Sequence, residues 1–208
     1  MTARTVEDCL REEYFCLLPA IRKTRDRIEA KVRHNLIPIL DSLEGYERLE
    51  IRSRIKDCES AIDALRRRQE GSLFDLDCSE KYSLKQLKDL AGVRVLVFPR
   101  GLIQRVDTSI KMDFGSWTPD HVPGYKEGDG DQALKYYGFC PQEDAVYGEI
   151  QIVPMLTGLF WEVEHQAIYK PKPEYRGVAN SLQMRERSQN ILDAFETFEK
   201  EFESLCKS

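Results

Sequence analysis

The stretch Val93-Arg94-Val95-Leu96-Val97-Phe98, bounded by Gly92 and Pro99, constrains the fold more than any other part of the chain. It is β-branched, too short for a helix between its two breakers, and apolar at successive positions. That pattern predicts a strand in the middle of a sheet, covered on both faces. Such a strand needs partners on either side and helices above and below. Leu49-Glu50-Ile51-Arg52-Ser53-Arg54-Ile55-Lys56 alternates apolar and charged residues, as a half-buried strand does. Ala133–Cys140 and Gly148–Val153 predict further strands.

The helical segments lie between and around them. Thr5 followed by Asp8 resembles a capping pair, with Asp in place of the usual Glu or Gln. It opens a helical segment running to about Leu43, whose Leu10, Tyr14, Leu17, Leu18, Ile21 and Ile28 fall on one stripe. Pro19 and Pro38 predict two or three pieces there instead of one rod. Helices are expected over Asp57–Arg68, Ser83–Leu90, Leu102–Met112, Met155–Tyr169 and Val178 to about Cys206. Residues 113–131 carry Gly115, Pro119, Pro123, Gly124, Gly128 and Gly130 and predict one long loop, a length usually reserved for function. The chain divides into a helical segment (1–45), a core (46–175) and a C-terminal helix (176–208).

Composition narrows the function. Lys and Arg total 31 against 36 Asp and Glu, a net charge of −5, so a polyanion must meet a local basic patch. No apolar run approaches the ~18–20 residues of a membrane span. Met1 to Leu10 lacks a signal-peptide stretch, so a cytoplasmic protein without membrane partners is expected. The 6 cysteines are scattered without metal spacing and read as free thiols. No GxGxxG or GxxxxGK[ST] loop is present, which excludes the common dinucleotide and P-loop sites.

Three constellations carry chemistry. Arg48, Arg52, Arg54, Lys56, Arg66, Arg67 and Arg68 form the densest basic stretch. Arg52, Arg54 and Lys56 share a strand face, since side chains at i and i+2 point together. Either this is a solvated edge paired with Glu47, Glu50 and Asp57, or it is a polyphosphate platform, where guanidinium forks match phosphate oxygens. Asp89, before the central strand, and Glu149, opening a second strand, can converge on one Mg²⁺, which takes one or two carboxylates plus substrate phosphates. Trp161, Glu164 and His165 share a helix. Trp161 and His165 lie four apart on one face, where a core tryptophan beside a hydrogen-bonded histidine is the simpler reading.

In order and spacing these residues resemble the synthetase domain of the RelA/SpoT family, the (p)ppGpp synthetases, and above all the small stand-alone alarmone synthetases. The resemblance runs from about Leu49 to Lys170. Arg54-Ile55-Lys56 with Ser60 looks like the family's R-x-K…S. Asp89-Leu90-Ala91-Gly92-Val93-Arg94 looks like its D-[IL]-x-G-[IV]-R. Glu149-Ile150-Gln151-Ile152 looks like its E-[IV]-Q-[IL]. Glu164-His165 with Tyr169-Lys170 looks like its E-H…Y-K.

The resemblance implies an α+β, nucleotidyltransferase-like fold, a mixed sheet of about five strands flanked by helices. It also implies an ATP-dependent pyrophosphokinase that passes pyrophosphate to a ribose 3′-hydroxyl. Arg54 and Arg94 would sandwich adenine, and Lys56 and Ser60 would hold phosphates, with Arg66 and Arg67 close by. Asp89 and Glu149 would bind Mg²⁺, and Glu149 would help deprotonate the acceptor. Gln151, Glu164, His165, Lys135 and a tyrosine would face the acceptor, a guanine or other nucleotide.

The departures are specific. A Lys usual beyond Ser60 is Ala64, and the Arg usual after the E-[IV]-Q-[IL] strand is Val153. The acceptor loop, usually G-Y-R-[SA]-[LIV]-H, fits in two registers, Gly130-Asp131-Gln132-Ala133-Leu134-Lys135-Tyr136 or Gly124-Tyr125-Lys126. Tyr125 and Tyr136 are the two stacking candidates, Tyr136 preferred because a strand holds a ring more rigidly than a loop. Two alternatives stay open. One is toxin-like modification of a tRNA 3′ end, to which Arg66–Arg68 would suit. The other is a degenerate, non-catalytic nucleotide binder. The flanking helices offer either an oligomer interface or a cap for the core.

Overall fold

The computed structural model describes residues 5–69, 71, 73–75, 81–122, 133–140, 143–164 and 182–206. Helix α1, Val6–Leu40, opens with the expected capping box: the Thr5 hydroxyl accepts from the Asp8 backbone, and the Asp8 carboxylate accepts from the Thr5 N–H. It is a single 35-residue helix despite Pro19 and Pro38, which corrects the expectation of separate pieces. Both prolines are exposed, and so are Phe15 and His34, one turn before them, whose carbonyls lose their helical donors. Those carbonyls can turn to water. The opposite stripe, including Leu10, Ile21, Ile28, Val32 and Leu36, is buried. At roughly 1.5–3 kcal/mol for each such side chain, that stripe outweighs the roughly 3 kcal/mol that each interior proline costs.

Strands β1 (Arg48–Ile55), β2 (Ala91–Phe98), β3 (Thr118–Val122), β4 (Ala133–Cys140) and β5 (Glu143–Pro154) form one sheet of order β1-β2-β5-β4-β3. β2 and β5 pair in parallel, and the other neighbours are antiparallel. The mixed five-stranded α+β sheet is thus as expected, with β2 inside it. Helices α2 (Cys58–Arg66), α3 (Leu102–Phe114), α4 (Met155–Glu164) and α5 (Leu182–Cys206) complete the described elements.

One face of the sheet presents Val93, Val95, Val97, Tyr136, Ile150 and Ile152 to α1 and α3. Gly138 and Gly148 pair across β4 and β5 on this face. A Cβ at Gly138 would lie 2.5 Å from the Trp117 indole, and one at Gly148 would lie 2.3 Å from Ile28, so the bare backbone makes room for both. The other face is apolar only at one end, where Leu96, Val153 and Ala133 pack with Met155 and Trp161.

Three local expectations change. The predicted helix over Ser83–Leu90 is a 3₁₀ turn, Leu84–Gln86, followed by extended Leu87. Leu84, Leu87 and Leu90 are all buried. Their three-residue spacing fits a 3₁₀ turn that runs out into extended chain, not an α-helix. The loop expected over 113–131 contains edge strand β3, almost wholly exposed and hence without a readable alternation. Pro119 is tolerated there because an edge strand can lack a donor. Tyr136, the preferred stacking residue, points into the α1/α3 core instead. It is 4% exposed, and its hydroxyl donates to buried Asp107, which also accepts from Lys111. Burial and that carboxylate push the phenol up to about 12.

At the far end of β2, α5 seals the sheet with Phe198 and Phe202 against Phe98 and Tyr46. Glu203 accepts from the Gly101 backbone. Glu199, 1% exposed, lies beside Arg100. Burial pushes its carboxyl up to about 7 from 4.5, against the opposing pull of Arg100.

Two outcomes follow from this packing. The native state prefers protonated Glu199. That contribution is complete below about pH 4.5 and is lost as pH rises through about 7. Glu199→Gln keeps the neutral form, so its stability gain over wild type should be near zero at pH 4.5 and grow to at most roughly 3 kcal/mol by pH 7.5. Denaturant midpoints across that range check it, and a constant difference would contradict it. Tyr136→Phe should cost about 1–3 kcal/mol by removing a donor to buried Asp107, with no change in nucleotide affinity by calorimetry.

Candidate functional site

Residues paired across a sheet share a face, and the register therefore writes out the site. One rung reads Arg52, Arg94, Gln151, Lys135 and Asp120 across β1, β2, β5, β4 and β3. The next reads Arg54, Gly92, Glu149, Tyr137 and Thr118. Both lie on the face that α4 covers only at its apolar end. The rungs alternate along each strand with the core-facing residues, so the same period that buries Val93, Val95, Ile150 and Ile152 presents Gly92, Arg94, Glu149 and Gln151.

The charges on these rungs pair in a definite way. Lys56, just past β1, donates to Asp89. Arg54 Nη2 lies 3.4 Å from Glu149 Oε2, with Gly92 between the two strands. A Cβ on Gly92 would meet both side chains at 3.6 Å, an ordinary van der Waals contact, so the pair does not depend on the glycine. Arg94 Nε donates to Gln151 Oε1 at 2.8 Å. Burial lowers the Arg94 guanidinium pKa, and the neighbouring Arg54 charge lowers it further.

Of the solvated-edge partners, Glu50 does bind Arg52, whereas Glu47 binds Arg105. The remaining partners of this cation row are the carboxylates expected to bind metal, together with Glu162.

Glu162 is a functional candidate that the motifs did not single out. From α4 it accepts from Arg52 at 2.8 and 3.0 Å and from Arg94 at 3.4 Å. Tyr137 is a second. It stands directly across from Glu149 on the β4–β5 ladder, and its ring has the Lys88 ammonium 5.9 Å from its centroid. Desolvation, then the charge of Glu149, holds this phenol well above its ordinary value, so it remains a donor. The alternation Lys135, Tyr137 opposite Gln151, Glu149 was the signal that could have found it.

Other expected residues fall elsewhere. Arg66 binds Glu7 and Asp63 and lies over the Phe74 ring. Arg67 and Arg68 donate to backbone carbonyls of Asp63 and Gln86. This trio knits α2 to its neighbours and does not join the rungs. Ser60 sits in the first turn of α2, capped by Asp57, directly after Lys56. Trp161 packs in the apolar patch, as the simpler reading had it. Glu164 ends the described part of α4 without an ion-pair or hydrogen-bond partner among the described residues. Tyr125, His165, Tyr169 and Lys170 lie outside the described residues.

The donor set suits Mg²⁺ accompanied by phosphates. Asp89 Oδ1 is buried without a hydrogen-bond partner, and Glu149 is 3% exposed on the neighbouring strand. Among the described residues no group of three or more His, Cys, Asp or Glu is gathered as a metal site. Two carboxylates are enough where substrate phosphates fill the remaining positions. No described helix is long and apolar enough to cross a membrane. The described cysteines, Cys9, Cys16, Cys58, Cys140 and Cys206, are free thiols.

No family model matches the chain, and no curated protein matches it by sequence. Solved structures do. The small alarmone synthetase 1 of Bacillus subtilis superposes with a TM-score of 0.66 at 19% identity, over 94% of this chain and 97% of that one. The same enzyme bound to AMPCPP gives 0.65 at 17% identity, with the same coverage. A GTP pyrophosphokinase family protein of Streptococcus pneumoniae gives 0.63 at 17% identity, over 93% and 92%. Over almost its whole length, from α1 through α5, the chain therefore has the fold of the small alarmone synthetases.

Proposed function

We propose that the protein is an ATP-dependent pyrophosphokinase that makes a (p)ppGpp-like nucleotide. One observation carries this reading: two carboxylates, the half-buried Asp89 and the buried Glu149, are each bridged to a cation from the β1 segment, Lys56 and Arg54. Those bridges are exchangeable for a magnesium nucleotide. Phosphates take up Lys56 and the hydroxyl of Ser60 in the first turn of α2. Adenine takes up the guanidinium planes of Arg54 and Arg94. The freed carboxylates are left for Mg²⁺, which when bound neutralises developing charge on the phosphates.

The acceptor 3′-oxygen then attacks the β-phosphorus. A new P–O bond forms, the bond from the β-phosphorus to the α–β bridging oxygen breaks, and AMP leaves. Glu149 takes the proton of the attacking hydroxyl. Positioning and charge neutralisation do most of the work in such transfers, and a placed base adds about 10²–10⁴-fold. Lys135 and Gln151, adjacent on one rung, face the acceptor side.

The decisive experiment incubates the protein with γ-labelled ATP, Mg²⁺ and, in turn, GDP, GTP, ADP, ATP or deacylated tRNA, and separates the products. Label should move to a nucleoside polyphosphate with release of AMP. Asp89→Ala and Glu149→Gln should each abolish transfer, and near-normal turnover in either would remove the carboxylate assignment. A binder that has lost catalysis would instead bind AMPCPP and transfer to no acceptor. Arg54→Ala should raise the ATP dissociation constant about threefold to thirtyfold, the size of a lost cation–π stack. Lys at that position should not restore it, because stacking needs the planar group.

A further inference from the structure

Tyr137 stands directly across from Glu149 on the β4–β5 ladder, on the same face of the sheet, and the Glu149 charge helps to keep its phenol protonated. Glu149 thus has two described neighbours, and they differ in freedom. The Arg54 side chain is 52% exposed on an edge strand, and its contact to Glu149 is 3.4 Å, long for a charge-assisted bond. Tyr137 lies on β4, an interior strand held between β3 and β5. The Glu149 side chain is only 4% exposed and cannot leave for water. When a nucleotide draws Arg54 away, the carboxylate would be free to swing toward another nearby cation, Lys56 or Arg94. It would then no longer point at the acceptor.

We propose that Tyr137 is a positioning residue: its hydroxyl holds the Glu149 carboxylate in place through nucleotide binding, aimed across the rung at the metal and the acceptor hydroxyl. This rests on the pyrophosphokinase reading and adds a residue to it. Lys88 over the ring face fixes the phenol from the solvent side, and the β4–β5 register fixes it from below. The device is local and needs no movement of the sheet. Arg54 exchanges one partner for another while Glu149 keeps its second.

Tyr137→Phe keeps the ring and the Lys88 contact and removes only the hydroxyl. In the transfer assay it should lower kcat by about tenfold to hundredfold while leaving the KM for ATP and the thermal midpoint close to wild type. An unchanged kcat overturns the proposal, and so does an effect confined to the KM for ATP.

A second measurement reads the hydrogen bond itself. In full-length protein carrying ¹³C at tyrosine Cζ, the Tyr137 resonance is the one missing from Tyr137→Phe, and it should shift in Glu149→Ala. In wild type it should keep its place when Mg²⁺ and AMPCPP are added to saturation, as judged by calorimetry. Movement to the Glu149→Ala position on nucleotide binding means that the hydroxyl has let go, and the proposal falls. It falls too if AMPCPP does not bind, since then nothing draws Arg54 away. If wild type binds AMPCPP but transfers nothing to any acceptor, the enzymatic reading fails by itself. The resonance then decides whether Tyr137 holds Glu149.

Discussion

A carboxylate nearly out of water in the middle of a sheet is the constraint around which this molecule is arranged. Glu149, 3% exposed, sits on β5 between β2 and β4. Left ionised and alone there it would cost several kcal/mol. The fold supplies Arg54 from one side and sets Tyr137 directly across on the other. Both are delivered by strand register, and one residue of slip in either β1 or β4 would turn the partner to the opposite face. Register is in turn fixed by the α1/α3 side of the sheet, where Val93, Tyr136 and Ile150 interleave and the Gly138–Gly148 pair admits Trp117 and Ile28. The apolar packing on one face thus sets the electrostatics on the other.

This explains which parts were legible. The β2 pattern and the alternation of β1 located the central strand and its cationic edge, because burial period and charge period coincide there. Asp89, Lys56, Arg54 and Glu149 were found by local motifs, and each motif contributes one half of an ion pair. The pairs themselves are non-local. Glu162 reaches Arg52 across 110 residues of sequence and follows no strand motif. Tyr137 was hidden by its neighbour, since nothing in a Tyr-Tyr dipeptide says which ring faces the core, and only the register with β5 decides. The unbroken α1 was misread for a related reason. Proline is a local penalty, and the burial that overrides it is spread over the whole stripe.

Two of the departures from the alarmone synthetase motifs, Val153 and Ala64, have a common physical character. Val153 stands where an arginine is usual, and here it is fully buried among Leu96, Ala133 and Trp161. Ala64 stands where a lysine is usual, and it packs against the cluster of Ala61, Ile62 and Leu65. Each turns a charged position into packing surface. Arg66, the nearest replacement for the lysine, is already committed to Glu7 and Asp63. The cationic content of the site therefore rests on Arg52, Arg54, Lys56 and Arg94, with Lys135 on the acceptor side. Two of these, Arg52 and Arg94, share the single carboxylate of Glu162, which reaches them from α4 and belongs to no strand motif.

Such internal neutralisation sets the direction of ligand exchange. In the pairs Arg54–Glu149 and Arg52–Glu50 the cation comes from edge strand β1, and in the first of them the carboxylate is the buried member. The exposed member of an unequal pair is the one that can move, since it regains water on leaving while its partner cannot. On the proposed reading an arriving polyphosphate would therefore be met by cations that swing outward, while the carboxylates stay in the sheet. Lys56–Asp89 is more enclosed, 16% and 23% exposed, and sits where Tyr14 ties the Lys56 carbonyl to α1. On the proposed reading its separation would need a dication to replace the ammonium on Asp89. Metal and nucleotide would then be coupled at that pair: neither the ammonium nor the carboxylate is well released without a charge of the same sign to take its place.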